Sequence, residues 1–203
     1  MKNAVDDTIR VYDSIAEEWH AMYGRLSFMR DFADIFIENL KGKKVLDLGC
    51  GPGRDAKYLS EKGFSVVGVD LCERFLEMAR LNAPKAEFRK MDLRNISFPE
   101  SSFDGVWAAA SILHIPKKEA ISAIKEMAKI LKQGGVIYIS LLKGRGEKYT
   151  ELEFGNGRFF AYYEKEEIER LLAENGFEII ETYPSPGEVN VVMEWLNIFA
   201  VKK

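Results

Sequence analysis

Val45-Leu46-Asp47-Leu48-Gly49-Cys50-Gly51-Pro52-Gly53-Arg54-Asp55 is a β-rich run that carries an acid and breaks at once into a Gly-x-Gly-x-Gly turn. Glycines at alternate positions accept positive φ and let a ligand approach the main chain with no Cβ in the way. A turn that leaves a strand and opens a helix is where open α/β sheets hold nucleotide-like ligands. Asp47 is the unusual member. Its carboxylate stands two residues before the first glycine, beside the ligand's path. There it would repel a pyrophosphate and attract an ammonium or sulfonium group. The spacing also departs from the Gly-x-Gly-x-x-Gly turn of dinucleotide sites.

From Lys44 onward, short β-rich runs alternate with helical patterns. Strands are expected at residues 45–48, 65–69, 87–91, 105–109 and 136–142, with helices at 55–62, 73–81 and 117–131 between them. Such alternation specifies βαβ units around a parallel sheet, with right-handed crossovers. The end differs. Residues 177–183 and 194–201 are strand-like and separated by Pro184-Ser185-Pro186-Gly187 and a few more residues. No crossover helix fits in that space, so the two must form an antiparallel pair. Residues 143–163 form an insertion rich in glycine and aromatics, with a tight turn at Gly155-Asn156-Gly157. Ahead of the first strand lie two amphipathic stretches, 6–24 and 28–40. Ser14-x-x-Glu17 reads as a capping box, and Gly24 as the terminator of the helix it opens.

A chain of 203 residues supports one well-buried core and not two comfortable domains. With 29 basic against 32 acidic residues and a net charge of −3, it lacks the basic footprint of a polyanion binder, so nucleic acid is not expected as a partner. Cys50 and Cys72 each follow a strand, and neither has a C-x-x-C mate. No metal is therefore expected, and both thiols should stay reduced. The first ten residues lack the apolar core of a signal peptide. No apolar run approaches the roughly 18 residues of a membrane span. These features lead to the expectation of a soluble cytoplasmic protein. No heptad or obvious interface run speaks to oligomeric state.

On the glycine turn with its leading acid and on the terminal hairpin, the chain resembles the class I methyltransferases that use S-adenosyl-L-methionine (SAM). The nearest branch is the small-molecule one called type 11 or UbiE/TehB-like, and the resemblance covers residues 12–201. It implies an α/β, Rossmann-like doubly wound sheet of seven strands in the order 3-2-1-4-5-7-6. The strand last but one in that order runs antiparallel. It also implies a single domain over 1–203 with a helical lid at 1–40 and a substrate-side insertion at 143–163. A small-molecule acceptor would receive the methyl group in line, and S-adenosyl-L-homocysteine (SAH) would be released.

Residue by residue, the resemblance makes Asp47 the acceptor for the methionine ammonium. The backbone of Gly49, Cys50, Gly51 and Gly53 would lie against the ligand. Asp70 ends the second strand 21 positions beyond Gly49, where a carboxylate can accept both ribose hydroxyls or cap the next helix. Leu71 would line the adenine. Asp92 would accept from the adenine amine and Leu93's amide would meet a ring nitrogen, although an acid opening a surface loop is also ordinary there. The small residues Ala109 and Ala110 would let the chain approach the sulfonium and the incoming acceptor, and Ser111 would contact the acceptor. His114 follows as a general base, an orienter of a substrate oxygen or a helix cap. Tyr12, Trp19 and Tyr23 in the N-terminal helices, and Phe159, Phe160, Tyr162 and Tyr163 in the insertion, would form a lid and a substrate wall; aromatic stripes also serve as plain core. Arg158 would receive an anionic group of the acceptor.

The Asn/Asp-Pro-Pro-Tyr/Phe motif of base and glutamine N-methylation is absent, and Ala109-Ala110-Ser111-Ile112 stands in its place. Rival readings are a SAM-binding partner subunit without catalysis, a protein or RNA methyltransferase, and a nicotinamide oxidoreductase. The last would leave Asp47 facing a pyrophosphate.

Overall fold

The computed structural model describes residues 3–24, 29–150, 157–186 and 193–203. Three helices, α1 (Ala4–Ser14), α2 (Ala16–Tyr23) and α3 (Met29–Asn39), precede the first strand, β1 (Lys44–Leu48). The chain then alternates through α4 (Arg54–Glu61), β2 (Ser65–Asp70), α5 (Glu73–Asn82), β3 (Glu87–Lys90) and β4 (Phe103–Ala109). A 3-10 turn (Ile112–His114) leads to α6 (Lys117–Ile130) and β5 (Leu131–Leu142). A two-stranded ribbon, β6 (Glu147–Tyr149) and β7 (Phe159–Ala161), comes next; α7 (Lys165–Glu174), β8 (Phe177–Pro186) and β9 (Glu194–Lys202) complete the chain.

Seven strands form one sheet in the order β3-β2-β1-β4-β5-β9-β8. The pairs within β1–β5 are parallel, and β9 runs antiparallel to both of its neighbours. This is the expected doubly wound order, with the insertion's two short strands taking two numbers. Alternate residues of β1 feed opposite layers, as the period of a strand requires. Leu46 and Leu48 enter the core shared with α6 and α7, whereas Val45 packs with α3, α4 and α5. Burial on both faces is what a parallel sheet imposes.

Several boundaries differ from the sequence reading, each for a local reason. The 6–24 stretch is two helices broken at Ile15 (φ −120°, ψ 17°). Ser14 does not cap the second, because its hydroxyl donates back to Val11 O at 2.7 Å. Such back-bonding competes with capping. The side-chain cap sits instead at Asn3, whose Oδ1 accepts from the amides of Val5 and Asp6. Gly24 does follow α2, though with an ordinary right-handed φ of −68°. Leu131 is not helical; it is already extended and pairs with Phe103, so α6 enters β5 with no loop. Residues Pro184 and Pro186 lie inside β8 rather than in a turn. They are tolerated because β8 is the sheet edge, where a missing N–H need not break a ladder. The tight turn expected at Gly155-Asn156 lies outside the described residues. Among the described residues no helix is long and apolar enough to cross a membrane.

Candidate functional site

A cavity of about 310 Å³ opens at the carboxyl ends of β1, β2, β4 and β5, the edge where open α/β sheets place their ligands. Its floor is the glycine turn. Gly49 takes φ +79°, and a Cβ there would stand 2.4 Å from the Cβ of Ser111, so only glycine lets the β4 exit pack so closely. Gly51 has φ +51° and nothing within 4 Å of a Cβ position. That opening is cavity space beside bare backbone. Gly53 is turned away, with a Cβ position 3.0 Å from Ala79 of α5.

Asp70, at the end of β2, ties this turn in place. Its Oδ2 accepts from Gly51 N and its Oδ1 from Cys72 N, both at 2.9 Å. The carboxylate is half-buried, and burial raises its pKa against the pull of those backbone bonds. Asp47 lies one layer deeper at 2 % exposure, paired across the sheet with Trp107. Its Oδ2 is buried without a hydrogen-bond partner among the described residues. Burial, then the charge of Asp55, push its pKa well above the ordinary carboxylate range. Asp55 behaves oppositely. Burial alone would raise it, but Arg54 and Trp107 outweigh that and hold it low. Arg54 grips both Asp55 oxygens at 2.7 and 3.0 Å, and Trp107 Nε1 donates to Oδ2 at 3.0 Å. The remaining arm of Arg54 donates to the carbonyl of Tyr23 at the end of α2, at 3.3 Å.

On the far side of the cavity a directed chain of hydrogen bonds joins three distant segments. Arg158 Nη1 donates to Tyr12 Oη at 3.1 Å, and Tyr12 Oη lies 2.8 Å from His114 Nε2. His114 Nδ1 is 2.8 Å from the carbonyl of Phe159. A carbonyl only accepts, so Nδ1 carries the proton, Nε2 offers its lone pair, and the tyrosine hydroxyl points at the imidazole. Burial, reinforced by the Arg158 charge and opposed by the Phe159 bond, lowers the His114 pKa to about 3. The imidazole is therefore neutral at physiological pH. Burial raises the Tyr12 hydroxyl, with Arg158 pulling the other way. Thr8 completes the lacing by accepting from Phe159 N at 2.9 Å. The rings of Tyr12, Trp19 and Phe75 meet at centroid distances of 5.4 to 6.2 Å and roof the cavity.

Of the residues singled out from sequence, the cavity wall includes Tyr12, Trp19, Gly49, Cys50, Gly51, Asp70, Leu71, Leu93, Ala109, Ser111, His114, Arg158 and Phe160. Five stand back from it. Asp47 lies behind the glycine turn, Gly53 of that turn faces Ala79 of α5, and Phe159 is buried outside the wall. Asp92 is gripped by Arg94 through Nε and Nη2 as well as the backbone amide, and Arg94 also reaches Glu119. Its carboxylate carries an ion pair and is not part of the cavity wall. Tyr163 faces the opposite groove, with Lys117 Nζ 4.7 Å above its ring. The sequence reading missed Arg54, Asp55, Phe75, Ser140 and Asn197, all on the wall. Ser140 and Asn197 did carry a signal, since each is a polar residue inside an otherwise apolar strand. Among the described residues no cluster of three or more His, Cys, Asp or Glu is placed to hold a metal.

Comparison with known proteins adds a family context. The model described as "Methyltransferase domain" matches residues 45–135. A ubiquinone biosynthesis O-methyltransferase of Idiomarina loihiensis is 36 % identical over 154 residues, covering 70 % of this chain and 62 % of that protein. The chain thus spans somewhat less than two thirds of the length of the curated relative. Among solved structures, a SAM-dependent methyltransferase of Methanosarcina mazei superposes with a TM-score of 0.75 at 25 % identity, over 83 % of this chain and 96 % of that one. The 1,6-didemethyltoxoflavin-N1-methyltransferase of Burkholderia thailandensis, solved with its substrate and SAH, shares the fold at TM-score 0.79 and 20 % identity, over 100 % and 92 % of the two chains.

Proposed function

We propose that this chain is a class I SAM-dependent methyltransferase, as its similarity to the methyltransferases above supports, and that it transfers the methyl group of SAM to a small-molecule acceptor in this cavity and releases SAH. The residues present fit that donor. The buried, unpartnered Oδ2 of Asp47 answers an ammonium, and the open space over Gly51 admits a ligand against bare backbone. Asp70 is positioned for the ribose hydroxyls, and Leu71, Phe75 and Leu93 supply apolar wall for the adenine. Asp92 is left to orient its loop through Arg94. SAM supplies a methyl sulfonium with a good leaving group. The protein's part is then to align the nucleophile and exclude water. The lid is α1 and α2, and the β6–β7 ribbon closes the acceptor side. A cytoplasmic setting accords with the two buried free thiols, Cys50 and Cys72, and a net charge of −3 disfavours nucleic acid as acceptor.

The observation that carries the reading is the polarity of the Arg158–Tyr12–His114 chain. Arg158 occupies one lone pair of Tyr12 Oη, and the hydroxyl proton already points at His114 Nε2. An acceptor X–H that donates to the other lone pair passes its proton to Tyr12 as Tyr12 passes its own to His114. The X lone pair so released forms the new bond to carbon. The resulting imidazolium keeps its Nδ1–H on Phe159 O. General-base help contributes on the order of 10²–10⁴ in rate, most where the base titrates near the working pH, so a His114 lowered to about 3 places this relay at the low end of that range. The deciding experiment is an SAH-release screen over phenols, thiols, amines, quinone precursors and metalloid oxyanions, with SAH binding measured by calorimetry. Failure to bind SAH at millimolar concentration would sink the proposal.

Two pH effects follow. His114 is neutral until the pH falls toward about 3, so methyl transfer should show no histidine inflection between about pH 5 and 8. An inflection near 6.5 that vanishes in His114→Asn would contradict this. Asp47 behaves in the opposite sense. Its folded pKa lies above the unfolded one, so its protonation stabilises the unliganded fold at low pH. That contribution is lost as pH rises through the raised value. Uptake of SAH, which carries an ammonium, should therefore release a proton at a pH below that raised value. Calorimetry in two buffers of different ionisation enthalpy measures that proton directly. Equal apparent enthalpies in the two buffers, which means that no proton is released, would remove Asp47 from this role.

A further inference from the structure

Ala110 leaves β4 with φ +51°, in the left-handed region that a Cβ disfavours. Strain of this kind persists only where surroundings over-determine it. Here the surrounding is one hydroxyl: Ser140 Oγ, from the neighbouring strand β5, accepts from Ala110 N at 2.9 Å. Ser140 is 2 % exposed and pairs across β9 with Asn197. Asn197 is itself fixed by Tyr138 Oη at 2.7 Å and by its own bonds to Tyr183 O and Ser185 Oγ. The clamp thus stands opposite a side chain that is held by three hydrogen bonds. Its effect is felt one residue on, where Ser111 is thrown back onto the glycine turn with no room for a Cβ at Gly49. Nothing else so far assigned explains a left-handed alanine at the boundary of donor and acceptor.

We infer that Ser140 is a positioning residue: its hydroxyl holds Ala110 left-handed, and that conformation seats Ser111 against Gly49 and so sets the shape of the donor pocket. The inference rests on the reading of this cavity as the SAM site. Without the clamp, Ala110 relaxes toward ordinary φ and the β4 exit moves off the glycine turn. Glycine at 110 takes the same φ with no penalty, so it makes the clamp dispensable. A hydroxyl that merely stabilised the fold would cost the same whichever residue stood at 110.

The test is a double-mutant cycle read by SAH calorimetry, with melting temperature recorded alongside. In the native background, Ser140→Ala should weaken SAH about tenfold. In an Ala110→Gly background the same change should cost at most about threefold, half a decade on the same scale. Equal losses in both backgrounds, or no loss in the native one, overturn the inference. Should Ser140→Ala alone fail to fold, the Ala110→Gly pair decides: a tenfold loss there overturns it, and near-equality supports it. Absence of SAH binding by the unaltered chain brings down the cavity assignment and the clamp together, which separates that failure from failure of the clamp.

Discussion

Asp70→Ala is expected to weaken SAH binding about a hundredfold or more. The carboxylate serves two masters at once, and the substitution removes both. It leaves the amides of Gly51 and Cys72 without their acceptor, and it deletes the group placed for the ribose. Hydrogen bonds to a charged group contribute about 1.5–3 kcal/mol each, and two such losses on the ligand side reach that hundredfold. The turn itself should loosen, lowering the melting temperature by several degrees, on the order of 4–8 °C per kcal/mol in a small domain and less in one of this size. Asp70→Asn keeps one acceptor oxygen and should fall between. SAH affinity within twofold of the unaltered chain in Asp70→Ala would remove the residue from the donor site.

Tyr12→Phe should separate binding from chemistry. The ring stays packed on Trp19 and Phe75, and the lost hydroxyl faces Arg158 and His114, so SAH affinity should change by no more than about threefold, about 0.7 kcal/mol. Methyl transfer to an acceptor that must lose a proton should fall about a hundredfold, the lower range of general-base contributions. An acceptor that is already an anion or bears a free lone pair should be nearly indifferent. The relay idea fails if Tyr12→Phe slows a proton-bearing acceptor no more than a proton-free one.

The residues proposed for the donor were open to reading from sequence because they are local. The glycine turn and Asp47 lie within eleven consecutive residues, and the strand-end acid Asp70 follows one βαβ unit later. The closing hairpin was equally legible, because the gap between its strands cannot hold a helix. The ion pair of Asp92 is something the linear pattern hides. Arg94, two residues on, bends back to take the carboxylate, and an arginine so placed is equally compatible with a solvated side chain. The acceptor half was less legible. Tyr12 and His114 are 102 positions apart, and Arg158 lies 146 positions from Tyr12. Each was noticed singly as an aromatic, a lone histidine or a cation. Only the folded chain shows that they form one hydrogen-bonded unit. The clamp at Ser140 depends on a backbone angle, which no residue pattern at Ala109-Ala110-Ser111 announces.

The lacing of Thr8, Tyr12, His114, Arg158 and Phe159 also bears on how such a protein can vary by descent. Its bonds join an N-terminal helix, the exit of a central strand and a late ribbon. A replacement at Tyr12 removes the donor to the His114 lone pair and one of the acceptors of Arg158 in the same step, so matching changes at 114 and 158 are expected to accompany it. Acceptor preference should therefore drift in concerted triplets rather than one residue at a time, while the glycine turn, closed within its own short stretch, can be inherited unchanged.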